Sequence, residues 1–597
     1  MLLNGLDWGI LIAFFLISLF IGFWTSRANK SSTDYFNGGG NMPWWLLAVS
    51  MVATTFSTDT PNLVTDIVRQ HGISGNWAWW AFLLTGLLTV FIYARLWKKS
   101  GILTDIEFYE LRYSGKDAAF LRGFRAVYLG FFFNIMIMAS VSLAAIKIGG
   151  VLLGLSPIET ILIAGTITVI YSSLGGFKGV LITDFFQFFM AIGGSIMAAY
   201  YSLQHPKIGG MANLLSHEAI KSKMDFFPSM SRPEEFLVIL LIPVLVQWWS
   251  VWYPGAEPGG GGYIAQRMFA AKDESNAVKS VLFFNAMHYA LRPWPWIIVA
   301  LCSIIVFPDI ESIKAAFPHA ASIAKDDLGY SAMLTFLPHG VLGIIVTSLI
   351  AAYMSTISTH LNWGSSYIVF DFYKRFLKPE SSEKELLWVG RISTFVLMGL
   401  TMLLALVLEN ALQTFNILLQ IGAGTGLLFI LRWFWWRINA ASEIAAMISS
   451  FLIAIYFNII HTKIGFAVIE SHWQLIIGVA ITTAVWIITA LVTKPSDKEK
   501  LYSFLKKTKP GGPGWAKVRE MALKDGIRLD EIEDPYWKVP AGILCMVLGT
   551  IGIYSFLFGS GHIIFRNYTA GLIYLVISFA TLYGLSKVYP KILDTKE

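Results

Sequence analysis

Charge is scarce in this sequence. Asp, Glu, Lys and Arg make up 14% of its 597 residues, where soluble domains carry about 25%. That scarcity excludes an ordinary water-facing surface. Hydrophobic residues make up 55% and mean hydropathy is +0.61, so the solvent around most of the chain is lipid. Cysteine is nearly absent. Cys302 and Cys545 each sit in an apolar run, which excludes a disulfide framework or a thiolate metal cluster. The net charge of +7 would suit nucleic acid, but the bases form no continuous patch and lie in short loops between apolar runs, which argues against that partner. Basic residues and a cleavage site are missing around the first apolar run, 6–24, so it reads as a retained helix rather than a signal peptide.

What is present is a series of long apolar runs. Those able to span about 30 Å of hydrocarbon lie near 6–26, 43–69, 76–97, 121–154, 157–173, 179–203, 236–255, 277–307, 338–370, 386–408, 411–436, 440–461, 472–493, 538–559 and 566–588. This predicts an all-α polytopic membrane protein of about fifteen spans. With the N-terminus outside, the inside loops collect Arg27, Lys98, Lys99, Arg112, Arg122, Lys178, Lys272, Lys374, Arg375 and Arg437, while segment 308–337 outside is acid-rich. That alternation is the orientation signature of a multi-pass protein, here expected in the plasma (inner) membrane. The largest polar insert, 494–537, mixes bases and acids around "KPGGPGW" and reads as a solvated cytoplasmic loop with some helix.

Two spans are interrupted. The second contains "TTFSTDTPNL" (54–63), with Asp59 and Pro61 at mid-depth. The seventh ends in "WYPGAEPGGGGYIAQR" (252–267), whose prolines and glycines cannot continue a helix. Unwound backbone is tolerated at membrane depth only where it lines a cavity, and paired broken helices point to a transporter binding site. A plain helix end at the surface is the alternative for the second break.

The stretch "AAYMSTISTHLNWGSSYIVFDFYKRF" (351–376) places Ser355, Thr356, Ser358 and Thr359 within one and a half turns. Ala352, Ser355, Thr356 and Thr359 share one side of the helix, offering hydroxyls beside an approachable carbonyl. Neutral oxygens suit a hard monovalent cation that must also leave. A single such hydroxyl usually bonds its own helix or aids packing; the density of four argues for more. Asp184, with Gln187 one turn on, lies near the inner end of its span. Trp77, Trp79, Trp80, Trp248, Trp249 and Trp252 read either as sugar-stacking platforms or as interfacial belts, the commoner use. Lys147, near a span end, is expected to snorkel.

Several ordered motifs resemble those of the sodium:solute symporter family. "GGFKGVLITDFFQ" is similar to its GG-x-x-A-V-x-x-T-D-x-x-Q signature, and "YMSTISTHLNWGSSYIVFDFYKRF" to its hydroxyl-rich S-[ST]-x-x-S signature. "LWKKSGILTDIEFYELRYSG" and "GGYIAQRMFAAKDESNAVKS" resemble its loop motifs, and the set covers roughly residues 1–440 in family order. The resemblance, with sodium/sugar and sodium/proline symporters in view, implies a LeuT-type 5+5 inverted repeat. Its expected parts are a leading helix in 1–30, repeats in 40–235 and 236–440, added helices in 441–493, the loop 494–537 and C-terminal helices in 538–597.

Carried over residue by residue, the resemblance implies a sodium site from the carbonyls of Ser57, Thr60 and Ala352 and the hydroxyls of Ser355 and Thr356. A further sodium site seen in some members falls on Asp184, Ser355, Ser358 and Thr359. The solute positions match less well. Sugar-transporting members differ at Asp59, Asn76, Gly260, Gly261 and Arg292; their eleventh-span glutamine falls on Phe415, with Gln413 close by, and Tyr263 keeps the place of an aromatic inner gate. Trp77 completes the candidate solute set.

The expectation is therefore a sodium-driven symporter for a small polar solute, a sugar or sugar derivative ahead of an amino acid or small carboxylate. It would work by alternating access, as a monomer in the bilayer, with sodium as coupling ion and no enzymatic chemistry. No nucleophile–base motif or nucleotide loop stands out. A transporter-like sensor would need a large appended polar domain, and an ion channel would not need the ion-plus-solute cluster.

Overall fold

A computed structural model of the chain describes residues 3–27, 31–250, 257–408, 422, 424–529 and 537–593. Within them the structure is helical. Eleven helices are long and apolar enough to cross a membrane. They are α1 (Gly5–Ser26), α4 (Ile73–Ser100), α5 (Gly115–Leu153), α7 (Gly175–Leu203), α10 (Glu274–Val306), α11 (Val341–Leu377), α12 (Glu383–Ala405), α13 (Ala440–Ile460), α14 (Ser471–Val492), α17 (Val539–Ile564) and α18 (Tyr568–Ile592). Shorter helices complete the bundle: α2 (Trp44–Thr55), α3 (Asp59–His71), α6 (Pro157–Ser173), α8 (233–245), α9 (Gly262–Ala270), α15 (Lys498–Thr508) and α16 (Ala516–Lys524).

Local chemistry sets the ends. Asn4 and Asp7 form a reciprocal capping box on α1, and Ser156, Pro157 and Glu159 do the same for α6. Gly176, at φ 57°, breaks the run between α6 and α7, a conformation that a Cβ would strain. The expected first interruption is a true break: α2 ends at Thr55 and α3 starts at Asp59. The second separates α8 from α9, with residues 251–256 outside the described set.

α11 is enclosed by other helices along its whole first half, whereas α1 and α18 turn side chains such as Leu16, Phe20, Val576 and Phe579 outward. An enclosed helix inside and half-exposed apolar helices outside is the pattern of a bundle solvated by lipid. Small residues allow close approach. Gly364 of α11 lies against Asn134 and the Gly130 carbonyl of α5, and Asn134 then donates to the His360 carbonyl at 2.8 Å. Asp7, fully buried, accepts from the Gly340 and Gly343 amides at 2.6 and 2.9 Å, tying the start of α1 to the start of α11.

Three sequence expectations change here. Lys147 does not snorkel: it is 1% exposed and donates to Asp327 at 2.5 Å, because a carboxylate from the connection after α10 reaches inward to meet it. Over its described part, 494–529, the polar insert is not a free solvated connector but docks on the bundle. Phe504 and Trp515 are buried, stacked on each other, and Phe504 also packs on Phe108 and Trp433. Arg112, fully buried, lies 4.7 Å from the Trp515 ring and donates to the carbonyls of Arg432 and Trp435. Its aromatic content, not its charge, decides where the segment sits. The tryptophans 77, 79 and 80 form no interfacial belt; all three are buried inside the protein.

Asp371, near the end of α11, is fully buried and pairs with Arg122 at 2.7 Å. Arg122 also holds Glu110 at 2.7 Å, and Arg375 holds the same Glu110 at 2.7 Å. Burial alone would raise the Glu110 carboxyl, but the hydrogen bonds from Arg375 and Arg122 hold it below its ordinary range. This network clasps the 101–114 loop and the start of α5 to the end of α11.

Candidate functional site

The site forms where α11 crosses the first break. Thr356 Oγ1 donates to the Thr54 carbonyl at 2.7 Å and lies 3.1 Å from the Ala352 carbonyl. Thr54 Oγ1 is 3.0 Å from Thr359 Oγ1. The last turn of α2 therefore presents a carbonyl and a hydroxyl to the hydroxyl stripe of α11. Sequence reasoning names Ser57 and Thr60 for this role and misses Thr54. Across the break, the Thr60 amide donates to the Ser57 carbonyl at 3.2 Å, and Thr60 Oγ1 donates to the Thr55 carbonyl at 3.4 Å. The sequence signal for Thr54 is a hydroxyl residue just ahead of the break, at the end of the apolar run of α2.

Ser355 points to the other side of the stripe. Its hydroxyl donates to Asp184 Oδ1 at 2.6 Å, and Ser50 of α2 donates to Asp184 Oδ2 at 2.5 Å. All three are fully buried. Ser358 instead donates to the Ser355 carbonyl of its own helix at 3.1 Å. Asp184 thus has no interfacial loop partner; its nearest cation is Arg267, at 3.9 Å.

The candidate solute residues fall in several places. Arg292 is 1% exposed, donates to the Val52 carbonyl and Thr55 Oγ1, and lies 5.5 and 5.1 Å from the Phe56 and Trp296 rings. His288 bridges from Thr55 to Arg292. Asp59 begins α3 and is half-buried. Asn76 uses both ends of its amide, toward the Ile73 carbonyl and the Trp79 indole. Trp77 packs on Phe227, Tyr554 and Phe558; it is Trp79 whose ring meets His288 and Tyr289. Gln413 and Phe415 lie outside the described residues.

The second break is held from the 101–114 loop. Asp105 accepts from the Gly262 amide at 2.8 Å and from the Tyr367 hydroxyl, so the first turn of α9 is anchored to α11. Gly260 has φ 92°, and a Cβ there would meet Met268 and Thr89; only glycine lets the chain pass. Beside it is a small cavity whose polar lining comes from Thr85, Thr89, Glu257 and Asn285, with Gly260 and Tyr289. Tyr263 is fully buried next to His360, ring to ring at 5.8 Å.

Comparison with known proteins matches this geometry to a lineage. The Sodium:solute symporter family matches residues 35–452. The chain belongs to that family. This symporter is 24% identical over 519 residues to a sodium/glucose cotransporter of Vibrio parahaemolyticus, covering 83% of the chain and 92% of the relative. It is 24% identical over 467 residues to the sodium/sialic acid symporter SiaT of Proteus mirabilis, covering 75% and 88%. Its fold is shared with a Na+-coupled sialic acid symporter solved in a substrate-bound, outward-open state. The TM-score is 0.64 at 20% identity, over 83% of this chain and 99% of that one. It is a sodium-coupled membrane transporter and not an enzyme, with the all-α polytopic architecture that the motifs implied.

Proposed function

We propose that this symporter imports a neutral, polyhydroxylated solute, a sugar or sugar derivative, together with sodium. The observation that carries the ion half is the convergence of Thr356 Oγ1 with the Thr54 and Ala352 carbonyls: three uncharged oxygens at a helix break, the donor set a hard monovalent cation accepts. Ser355, Thr356, Ala352, Ser57 and Thr60 remain the proposed ligands, with Thr54 added. Sodium bound there would order the break between α2 and α3 and raise affinity for solute, and solute would raise sodium affinity by the same factor. Each sodium crossing 100 mV contributes about 2.3 kcal/mol to uptake. The proposed setting is the plasma (inner) membrane with the N-terminus outside, as a monomer.

The solute half rests on the cavity beside the second break. Its lining offers hydroxyl, amide and aromatic groups, the carboxylate of Glu257 and, among the described residues, no basic side chain, a set that disfavours an anion. Arg292, whose guanidinium suits bidentate capture of a carboxylate or a diol, already donates to Val52 and Thr55 and sits against two aromatic rings. Both observations favour a neutral solute over an amino acid or small carboxylate.

The test is uptake into proteoliposomes with sodium or choline outside, comparing labelled hexoses, polyols, sialic acid and proline. Sodium-dependent hexose or polyol uptake is the expected result. Uptake confined to sialic acid or proline would overturn the solute assignment, and uptake indifferent to sodium would overturn the coupling.

A further inference from the structure

We infer that the cavity at the second break is a subsite for one hydroxyl group of the solute, and that Asn285 is the specificity-determining residue that reads it. This rests on the reading of the chain as an importer of a neutral, polyhydroxylated solute, and it says where one of those hydroxyls goes.

Asn285 stands on α10 and is 1% exposed. Its side-chain nitrogen donates to the Val281 carbonyl, one turn back, at 2.8 Å. A carbonyl only accepts, so the nitrogen must face it, and that fixes the orientation of the whole amide. The other end, Oδ1, has no hydrogen-bond partner among the described residues. It lies against Gly86 of α4, where an added Cβ would come within 1.7 Å of it. Gly86 and Asn285 both line the cavity. A buried acceptor without a partner costs free energy, and native structures keep few of them. One held beside a cavity is kept for a donor that arrives there.

The rest of the polar lining has the same character. Thr89 donates its hydroxyl hydrogen to the Thr85 carbonyl at 2.9 Å, and Thr85 donates its own to the Trp248 carbonyl. With their hydrogens spent on main chain, both hydroxyls have only lone pairs left to offer. Glu257, 2% exposed, adds a carboxylate whose charge is balanced by Arg125 of α5. Acceptor oxygens thus reach the cavity from α4, from α10 and from the second break, and their complement is a group that donates. Because Arg125 already neutralises Glu257, that group need carry no charge, and a hydroxyl fits better than an ammonium. The volume, about 20 Å³, admits one water-sized group and not a sugar ring. The body of the solute therefore lies outside it. Tyr289 marks the side: it lines the cavity and stacks on Trp79 at 5.9 Å, whose ring meets His288 beside Arg292.

The full-length protein in proteoliposomes, with sodium outside, tests this with labelled D-glucose, D-galactose, D-mannose and myo-inositol, and with the monodeoxy analogues of each as competitors. In the wild type, one deoxy analogue of the transported probe should compete about tenfold more weakly than its parent, because a site built around a donor rejects the analogue that lacks it. Asn285→Leu removes the acceptor at similar size. Its KM for the parent should rise about tenfold while its affinity for that one analogue stays unchanged, so discrimination vanishes at a single hydroxyl. Maximal rate and half-saturation by sodium should not move. Without solute, the unfolding temperature of Asn285→Leu in nanodiscs should be no lower than that of the wild type, since Oδ1 gives up no bond. Thr89→Val removes a neighbouring acceptor and should weaken the same preference less. If Asn285→Leu does not fold, an unchanged analogue preference in Thr89→Val overturns the inference. Wild-type discrimination in Asn285→Leu overturns it too, as does lower stability with an unchanged KM, the mark of an asparagine that only holds its helix or a bound water. A wild type that takes up none of the four probes overturns the neutral-solute reading and this subsite with it, a failure visible before any variant is made.

Discussion

Thr356 of α11 donates its hydroxyl to the carbonyl of Thr54, in the last turn of α2 before the first helix break, at 2.7 Å. That bond joins the enclosed helix α11 to a place where a neighbouring span gives up its own hydrogen bonds. A hydroxyl held between two carbonyls keeps its lone pairs free for an ion, and the bond fixes the spacing in advance. Pre-organisation of this kind reduces the cost of ordering ligands when sodium binds.

The expected consequence is specific to the hydroxyls. Ser355→Ala with Thr356→Ala should abolish sodium-dependent uptake and flatten the sodium titration of thermal stability, with normal expression and membrane insertion. Thr356→Ser should keep most of the response. Uptake at wild-type sodium affinity in the double variant would remove these residues from the ion site.

Asp184→Asn should destabilise the protein whichever cation is present. It leaves Arg267 buried 3.9 Å from a neutral amide, and loss of a buried counter-charge costs about 3–5 kcal/mol. Sodium cannot repair that loss, because sodium is the wrong sign. Thermal unfolding should drop in the asparagine variant by the same amount with sodium or choline present.

Lys147 and Asp327 test the end of the bundle where α5 meets the connection between α10 and α11. The pair is 2.5 Å apart, with side chains 2% and 11% exposed. Lys147→Met should lower stability by about 3 kcal/mol by stranding Asp327, and adding Asp327→Leu should recover most of it. Equal losses in the single and double variants, followed by thermal unfolding, would show that packing and not charge sets the cost.

The docked part of the polar insert, 494–529, should come loose when its anchor is removed. Trp515 is fully buried, donates its indole N–H to the Trp433 carbonyl at 2.9 Å and faces Arg112. Trp515→Ala should cost about 3–5 kcal/mol of local stability and expose the segment to protease, read as faster cleavage near 509–514. Cleavage at the wild-type rate would mean the helices dock by other contacts.

Acid should open the clasp between the 101–114 loop and α11. The Glu110 carboxyl is held below its ordinary value of 4.5, so its contribution is present above that pH and lost as pH falls through the lowered value. The stability gap between wild type and Glu110→Gln should be full at pH 7 and close toward pH 3. A gap that persists at pH 3 would show that the glutamate's ionisation does not matter.

The reading of the hydroxyl stripe, the first break and Asp184 came from one-dimensional patterns because each is local. Helical period places Ser355, Thr356 and Thr359 on adjoining faces, and Pro61 with Asp59 marks an interruption wherever the span packs. The solute positions were less legible. Asn76 sits where sugar-transporting members carry a solute ligand and Trp77 offers a ring on which a sugar could stack, yet the structure spends Asn76 on a helix start and Trp77 on the C-terminal helices. Alignment finds a position but not the direction its side chain takes.

By itself the sequence determined the solvent, the helical class, the two interruptions and the family. These follow from composition, period and short motifs, all of which act within a few turns of chain. Only the tertiary structure decided the partners: Arg267 for Asp184, Asp327 for Lys147, Arg122 for Asp371, Trp433 for Trp515. Each pair joins segments 82 to 249 residues apart. A buried charge in lipid must find a counter-charge or a hydrogen bond, but which one it finds depends on which helix faces meet, and that is settled by packing.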